Sequence, residues 1–158
     1  MEENYFLRKV NENDINDIFQ LSNEDYVRKF SINSNRINWD EHVIWFKNIM
    51  QSSNNIFYVV TDSSNKFLGQ LRYKIDNRSA IVSISLCRQI MGKGLSSKFL
   101  KQSMKLISEE KKEIENIIAF VSDKNIVSKK LFEKVGFVFI ENNNGLIKYI
   151  YSINKGLN

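Results

Sequence analysis

Apolar and polar positions along this chain recur with two periods, and the switches between them mark out its elements. Tyr5 to Val10 predicts a short first strand. Asn13 or Asp14 is placed to cap a helix whose apolar stripe, Ile15, Ile18 and Phe19, lies on one face. After a polar stretch without period, Asn38 or Asp40 opens a second helix. There Trp39, Val43, Phe46 and Met50 recur at helical steps.

The period then shortens. Ile56 to Thr61 is a β-branched and aromatic run ended by a turn at Asp62–Asn65. Phe67 to Ile75 alternates from Gln70 onward and turns at Asp76-Asn77. Ala80 to Leu86 places Ala80, Val82, Ile84 and Leu86 on one face, with Ile81, Ser83 and Ser85 on the other. A glycine-bearing loop, Met91 to Ser96, leads into a helix carrying Phe99, Leu100, Met104 and Ile107. Asn116 to Val121 predicts a strand, and Asn125 to Val135 a helix stopped by Gly136. Two last strands, Phe137 to Glu141 and Leu146 to Ile153, flank the hairpin signal Asn142–Gly145.

The expected order is βααβββαβαββ. Three consecutive strands joined by short turns imply an antiparallel meander, and the later strand–helix–strand segment implies parallel neighbours. The fold class is therefore α/β (α+β), a mixed, mostly antiparallel central sheet with helices on both faces. With 158 residues and no linker, repeat or proline, the chain reads as one domain over 1–158.

Composition narrows the chemistry. One cysteine, Cys87, excludes an internal disulfide, and with a lone His42 it argues against any metal site. No run reaches the roughly 20 apolar residues of a membrane span. Acidic residues at Glu2 and Glu3 stand where a signal peptide carries basic ones, so a cytoplasmic protein is expected. The net charge of +5 suits an anionic partner, but the basic residues are scattered. A nucleic-acid-binding module should show a clustered basic stripe with interleaved aromatics, and neither is present.

The loop Gln89-Ile-Met-Gly-Lys-Gly-Leu-Ser96 is the segment richest in chemical meaning. Gly92 and Gly94 remove side chains where backbone N–H groups can converge on an anion at a helix start, and Lys93 adds charge. Two readings stand at this point, a phosphate cradle or a plain tight turn. The spacing is not that of a nucleotide P-loop, and a dinucleotide fold would carry its glycines after the first strand.

In this context the chain resembles the GNAT acetyltransferases. Strand, Gly-Lys-Gly-Leu loop, long helix and strand are followed by Asp123-Lys-Asn125, Ser128, Leu131-Phe132 and Gly136-Phe137. The family's loop pattern, Arg/Gln-x-x-Gly-x-Gly/Ala, is met by Gln89, Gly92 and Gly94. The resemblance implies acetyl-CoA as co-substrate, no metal, and backbone amides of Met91, Gly92, Lys93, Gly94, Leu95 and Ser96 on the pyrophosphate. It further implies that the Leu86 N–H meets the thioester oxygen, with Cys87 beside it, and that Asn125 and Ser128 lie along the cofactor arm. Ser96 stands where many members have Gly or Ala and keeps its backbone donor. Phe132 stands where the family often carries a tyrosine general acid, and phenylalanine has no proton to give.

Acetyl transfer to an amine needs a polarised carbonyl, a neutral amine and alignment of the two. For the base, His42 has the right ordinary pKa, about 6.5. It also reads as a surface or half-buried helix residue, with Glu24, Glu41 or a water chain as alternatives for the base. Trp45 would shape the acceptor pocket beside it. Gln70 and Arg72 share a strand face and suit a polar or anionic acceptor, or else line an exposed sheet face.

Asn35–Phe46, Leu68–Arg72 and Ile84–Leu86 are similar to segments of amino-sugar N-acetyltransferases of the pseudaminic and sialic-acid-like sugar pathways. That likeness implies the amine of a UDP-linked deoxy sugar. A protein N-terminal or ribosomal-protein acetyltransferase shares fold and cofactor and is the nearest alternative; a non-catalytic acyl-CoA sensor is another. A homodimer is kept as an expectation of assembly.

Overall fold

The computed structural model describes residues 4–153. The elements in chain order are β1 (Tyr5–Lys9), α1 (Ile15–Ser22), α2 (Asp25–Arg28), α3 (Trp39–Gln51) and β2 (Asn55–Asp62). They continue with β3 (Phe67–Asp76), β4 (Ser79–Leu86), α4 (Leu95–Glu110), β5 (Asn116–Ser122), α5 (Ile126–Val135), β6 (Val138–Asn143) and β7 (Leu146–Ser152). The order agrees with the sequence pattern except for α2. This single turn formed in the polar stretch that showed no period.

One seven-stranded sheet has the order β1-β2-β3-β4-β5-β7-β6. All pairs are antiparallel except β4 with β5. The crossover through α4 thus gives the expected parallel pair. The crossover through α5 does not, because β7 inserts between β5 and β6.

Helices cover both faces. The larger core lies under α4 and α5 and takes Tyr58, Leu71, Tyr73, Val82, Leu86, Phe99 and Phe132; the smaller, with Ile18, Leu21, Phe46, Phe57 and Val59, lies under α1 and α3. Strand β2 feeds both cores from alternate residues, which is why its run is apolar throughout.

The predicted stripe of α3 is displaced. His42 and Phe46 are its buried residues, while Trp39 and Met50 stay largely exposed. The apolar count passed over a histidine that the fold buries at 2% exposure. Its Nε2 lies 2.9 Å from the Ile15 carbonyl, a partner on α1 that makes the burial tolerable. The first helix also starts differently. Asn11 caps a short 3₁₀ turn, and Asp14 turns back to accept from the Asn11 N–H and both terminal nitrogens of Arg8.

Gly69 brings β3 and β4 together at the end that matters for chemistry. It pairs with Leu86 just after an irregularity opposite Val60/Thr61. A Cβ there would stand 2.6 Å from Leu86 Cδ2 and 3.0 Å from the Ser85 carbonyl oxygen. Gly69→Ala should therefore push the end of β4 outward. We expect a loss of about 1–3 kcal/mol in thermal denaturation, together with a fall in turnover. Wild-type stability and rate in the variant would show that β4 tolerates the shift.

Candidate active site

The site is built on the way β4 and β5 part. They pair only from Ser79–Asn116 to Ile81–Ile118, and beyond that β4 remains bonded to β3 alone. Cys87 donates its N–H to the Leu68 carbonyl at 2.8 Å. Alternate residues of a strand point to opposite edges, so the N–H and C=O of Leu86 turn toward the gap. The Leu86 side chain packs in the core beneath. A main-chain donor at a strand end beside a gap is what polarising a carbonyl requires.

The loop continues from there. Arg88–Ile90 form a 3₁₀ turn that leaves Gln89 exposed, and Met91 is also exposed. Gly92 and Gly94 take the left-handed region at φ +77° and +74°, and a Cβ on either would meet no atom within 4 Å. Open space before a left-handed glycine pair, at the head of the 16-residue α4, is the shape of an anion cradle. Gly94 has no side chain to cap the first N–H groups of α4, which are left to a ligand or solvent. Leu95 and Ser96 are half-buried in its first turn. Lys93 donates to the Tyr5 hydroxyl at 3.1 Å. These residues fit the pyrophosphate and thioester of acetyl-CoA. Bound there, it would supply an activated acetyl group.

On α5, Asn125 acts as the N-cap, accepting the Ser128 N–H at 3.1 Å. Phe132 is 3% exposed, with its ring 5.0 Å from Phe137 and stacked on Tyr149 at 6.4 Å. It is a wall residue in an aromatic stack. Burial pushes the Cys87 thiol up to about 11, so it stays protonated in the neutral range and is a poor nucleophile.

On the opposite face of the sheet lies a cavity of about 410 Å³. It collects His42 and Trp45 from α3, Gln70 and Arg72 from β3, and Ser83 and Ser85 from β4. The four candidate acceptor residues of the sequence reading thus share one space, floored by strand β4 one residue before Leu86. The His42 Nε2 donates to the Ile15 carbonyl, which leaves Nδ1 as the acceptor of the neutral ring. Burial lowers the His42 pKa below its ordinary value, outweighing the bond to Ile15. Its ring stacks on Trp45 at 5.5 Å.

Arg72 lies with its guanidinium 4.9 Å from the Trp45 ring centre. Among the described residues it has neither a hydrogen-bond partner nor a carboxylate. Burial lowers its pKa from the ordinary guanidinium value. Gln70 donates to the Ser22 hydroxyl at 3.2 Å. Two residues escaped the sequence reading, Arg28 at the cavity lining and Tyr26 at the end of β4. Arg28 donates to the carbonyls of Ser22, Asn33 and Asn35 and to the Ser31 hydroxyl, fastening α2 and the loop after it over the cavity. Tyr26 donates its hydroxyl to the Leu86 carbonyl at 2.7 Å. Both belong to the aperiodic polar stretch, where only tertiary contacts give a side chain its direction.

The family model of the acetyltransferase (GNAT) domain matches residues 4–138. A comparison with curated proteins finds no match. Among solved structures, a spermidine N-acetyltransferase from Vibrio cholerae, in complex with CoA and spermine, superposes with TM-score 0.86 at 20% identity, covering 98% of each chain. A dodecameric structure of the Vibrio cholerae spermidine N-acetyltransferase gives 0.78 at 21% identity, covering 98% of this chain and 96% of that one. A domain from Methanocaldococcus jannaschii gives 0.83 at 19% identity, covering 96% and 99%. The amino-sugar likeness finds no counterpart among these neighbours. Among the described residues no helix is long and apolar enough to cross a membrane. With the family model spanning most of its length, the chain belongs to the GNAT acetyltransferase family and is an acyltransferase drawing on acetyl-CoA.

Proposed function

We propose that this enzyme acetylates a primary amine on a small molecule carrying an anionic group, of which a nucleotide-linked amino sugar is the leading case. The observation that carries this reading is the uncompensated guanidinium of Arg72 in the cavity. A planar fork without a carboxylate partner is suited to phosphate or carboxylate oxygens held bidentately. Arg28 adds a second positive charge at the lining, against Glu41 as the one carboxylate there. A polyamine would bring several positive charges toward these two, with one exposed acid to receive them. The cavity's charge therefore sets this chain apart from the acceptor named for its Vibrio cholerae neighbours.

In this reading His42 takes the amine's proton on Nδ1, its tautomer held by Ile15. Gln70, Ser83 and Ser85 supply neutral donors and acceptors for hydroxyls. The Leu86 N–H polarises the acetyl carbonyl, while Gln89, Met91–Ser96, Asn125 and Ser128 hold the cofactor. A cytoplasmic homodimer accompanies the proposal. The assembly is supported by Val138, Phe139 and Ile140, large apolar residues exposed in a row on edge strand β6.

The test is a panel of UDP-amino sugars, free amino sugars, spermidine and short peptides, assayed by release of free thiol from acetyl-CoA. Turnover of anionic amines above the rest is expected. Turnover of spermidine alone would overturn the assignment, and turnover of peptides alone would favour a protein N-terminal acetyltransferase.

A further inference from the structure

We infer that Tyr26 donates the proton that the leaving thiolate requires. The inference rests on the acetyl-CoA site around Leu86 and not on which amine is the acceptor. A strand residue sends its N–H and C=O out on the same edge. The Cys87 bond to Leu68 therefore turns both groups of Leu86 toward the gap between β4 and β5. Tyr26 reaches the Leu86 carbonyl at 2.7 Å, so its hydroxyl stands on the edge where the Leu86 N–H awaits the thioester oxygen. The phenol comes from α2 and packs on the core opposite to that of α5, where Phe132 has no proton.

Its setting suits a donor. Arg28, two residues on, anchors the turn through the Ser22 carbonyl at 2.7 Å, so the phenol is held in place. The Arg88 guanidinium lies 4.4 Å from the Tyr26 ring centre and favours the phenolate once the proton has left. Burial, with a smaller contribution from the Glu24 carboxylate, holds the hydroxyl in the protonated form; its pKa is pushed up to about 12. Tyr26 therefore keeps its proton throughout the neutral range and has it to share with the sulfur as the C–S bond breaks.

The balance of the step is simple. The amine nitrogen bonds to the acetyl carbon, the C–S bond breaks with its electron pair on sulfur, and the Tyr26 O–H proton passes to that pair. The phenolate recovers a proton from the one the nitrogen gives up, carried by solvent. No oxidant or further reactant is involved.

Tyr26→Phe removes the proton and keeps the ring. Acetyl-CoA should raise the melting temperature of the variant as it does that of the wild type, while kcat falls about 100-fold, the range of one positioned acid. The selenoester analogue of acetyl-CoA then separates chemistry from architecture. Its selenolate is far less basic than a thiolate and leaves without a proton, yet every other contact is the same. Tyr26→Phe should match the wild type within about twofold on the selenoester. An equal loss on both donors would make the tyrosine a mere latch on Leu86 and overturn the assignment. So would unchanged kcat with acetyl-CoA, or disappearance of the melting shift, which would give Tyr26 a role in binding. Each comparison uses whichever amine the panel turns over, so a wrong acceptor class would leave this result readable.

Discussion

Gly92→Val should abolish the rise in melting temperature that acetyl-CoA gives the wild-type protein, and turnover should vanish with it. Gly92 has φ +77°, a region closed to a β-branched residue without strain, and the space in front of it is open. Valine would either force the loop out of this conformation or project methyl groups into the path of the pyrophosphate. A hydrogen bond to a charged group contributes about 1.5–3 kcal/mol, so losing two weakens binding by at least about 100-fold. At a ligand concentration about 100 times the wild-type Kd, the shift expected from about 2.7 kcal/mol of stabilisation would fall close to zero. Gly94→Ala should be milder in binding, since the family pattern admits alanine there. At φ +74° it still carries a strain of about 1–2 kcal/mol, visible as a lower melting temperature without ligand. A Gly92→Val protein that folds and shows the wild-type shift would remove the cradle from this loop.

Arg72→Ala should raise KM for the acceptor amine by about 10- to 100-fold, from about 1.5–3 kcal/mol for a charged hydrogen-bonded contact, and leave acetyl-CoA binding unchanged. The guanidinium lies over Trp45 without a carboxylate, so its removal unpairs nothing in the protein itself. The loss should therefore fall on the ligand, and the stability of the free enzyme should change little. His42→Gln should act on the other parameter, lowering kcat more than KM. Burial depresses the His42 pKa, so the ring stays neutral at pH 7 and its protonation begins below the ordinary value of about 6.5. The neutral form is the one the fold favours. Its contribution to stability is full above about pH 6.5 and is lost as pH falls through the lowered pKa, because the unfolded chain binds the proton more readily. Initial rates across pH, with acetyl-CoA saturating, would check both substitutions. An Arg72→Ala enzyme with unchanged KM would take Arg72 out of the acceptor site.

Periodicity alone determined most of the scaffold. The two-residue alternation of β4 put Leu86 and Val82 on one face and Ser83 and Ser85 on the other, as the structure has them. Gly92 and Gly94 could be read as a cradle because glycine is the residue that takes positive φ without strain. The common face of Gln70 and Arg72 followed from the same period of two. These features are local, so a pattern of a few residues suffices to specify them.

Tertiary structure alone decided the rest. Insertion of β7 between β5 and β6 is a choice among pairings that one strand's pattern cannot register. The burial of His42 in place of Trp39 depends on a carbonyl of another helix, since a polar ring enters a core only where its nitrogen finds a partner. Tyr26 and Arg28 belong to a stretch with no apolar rhythm, and their directions come from the Leu86 and Ser22 carbonyls. The gap between β4 and β5 likewise has no local code. It opens because the parallel pair is kept for three residues and then lost, and backbone groups freed in this way carry no side-chain signature.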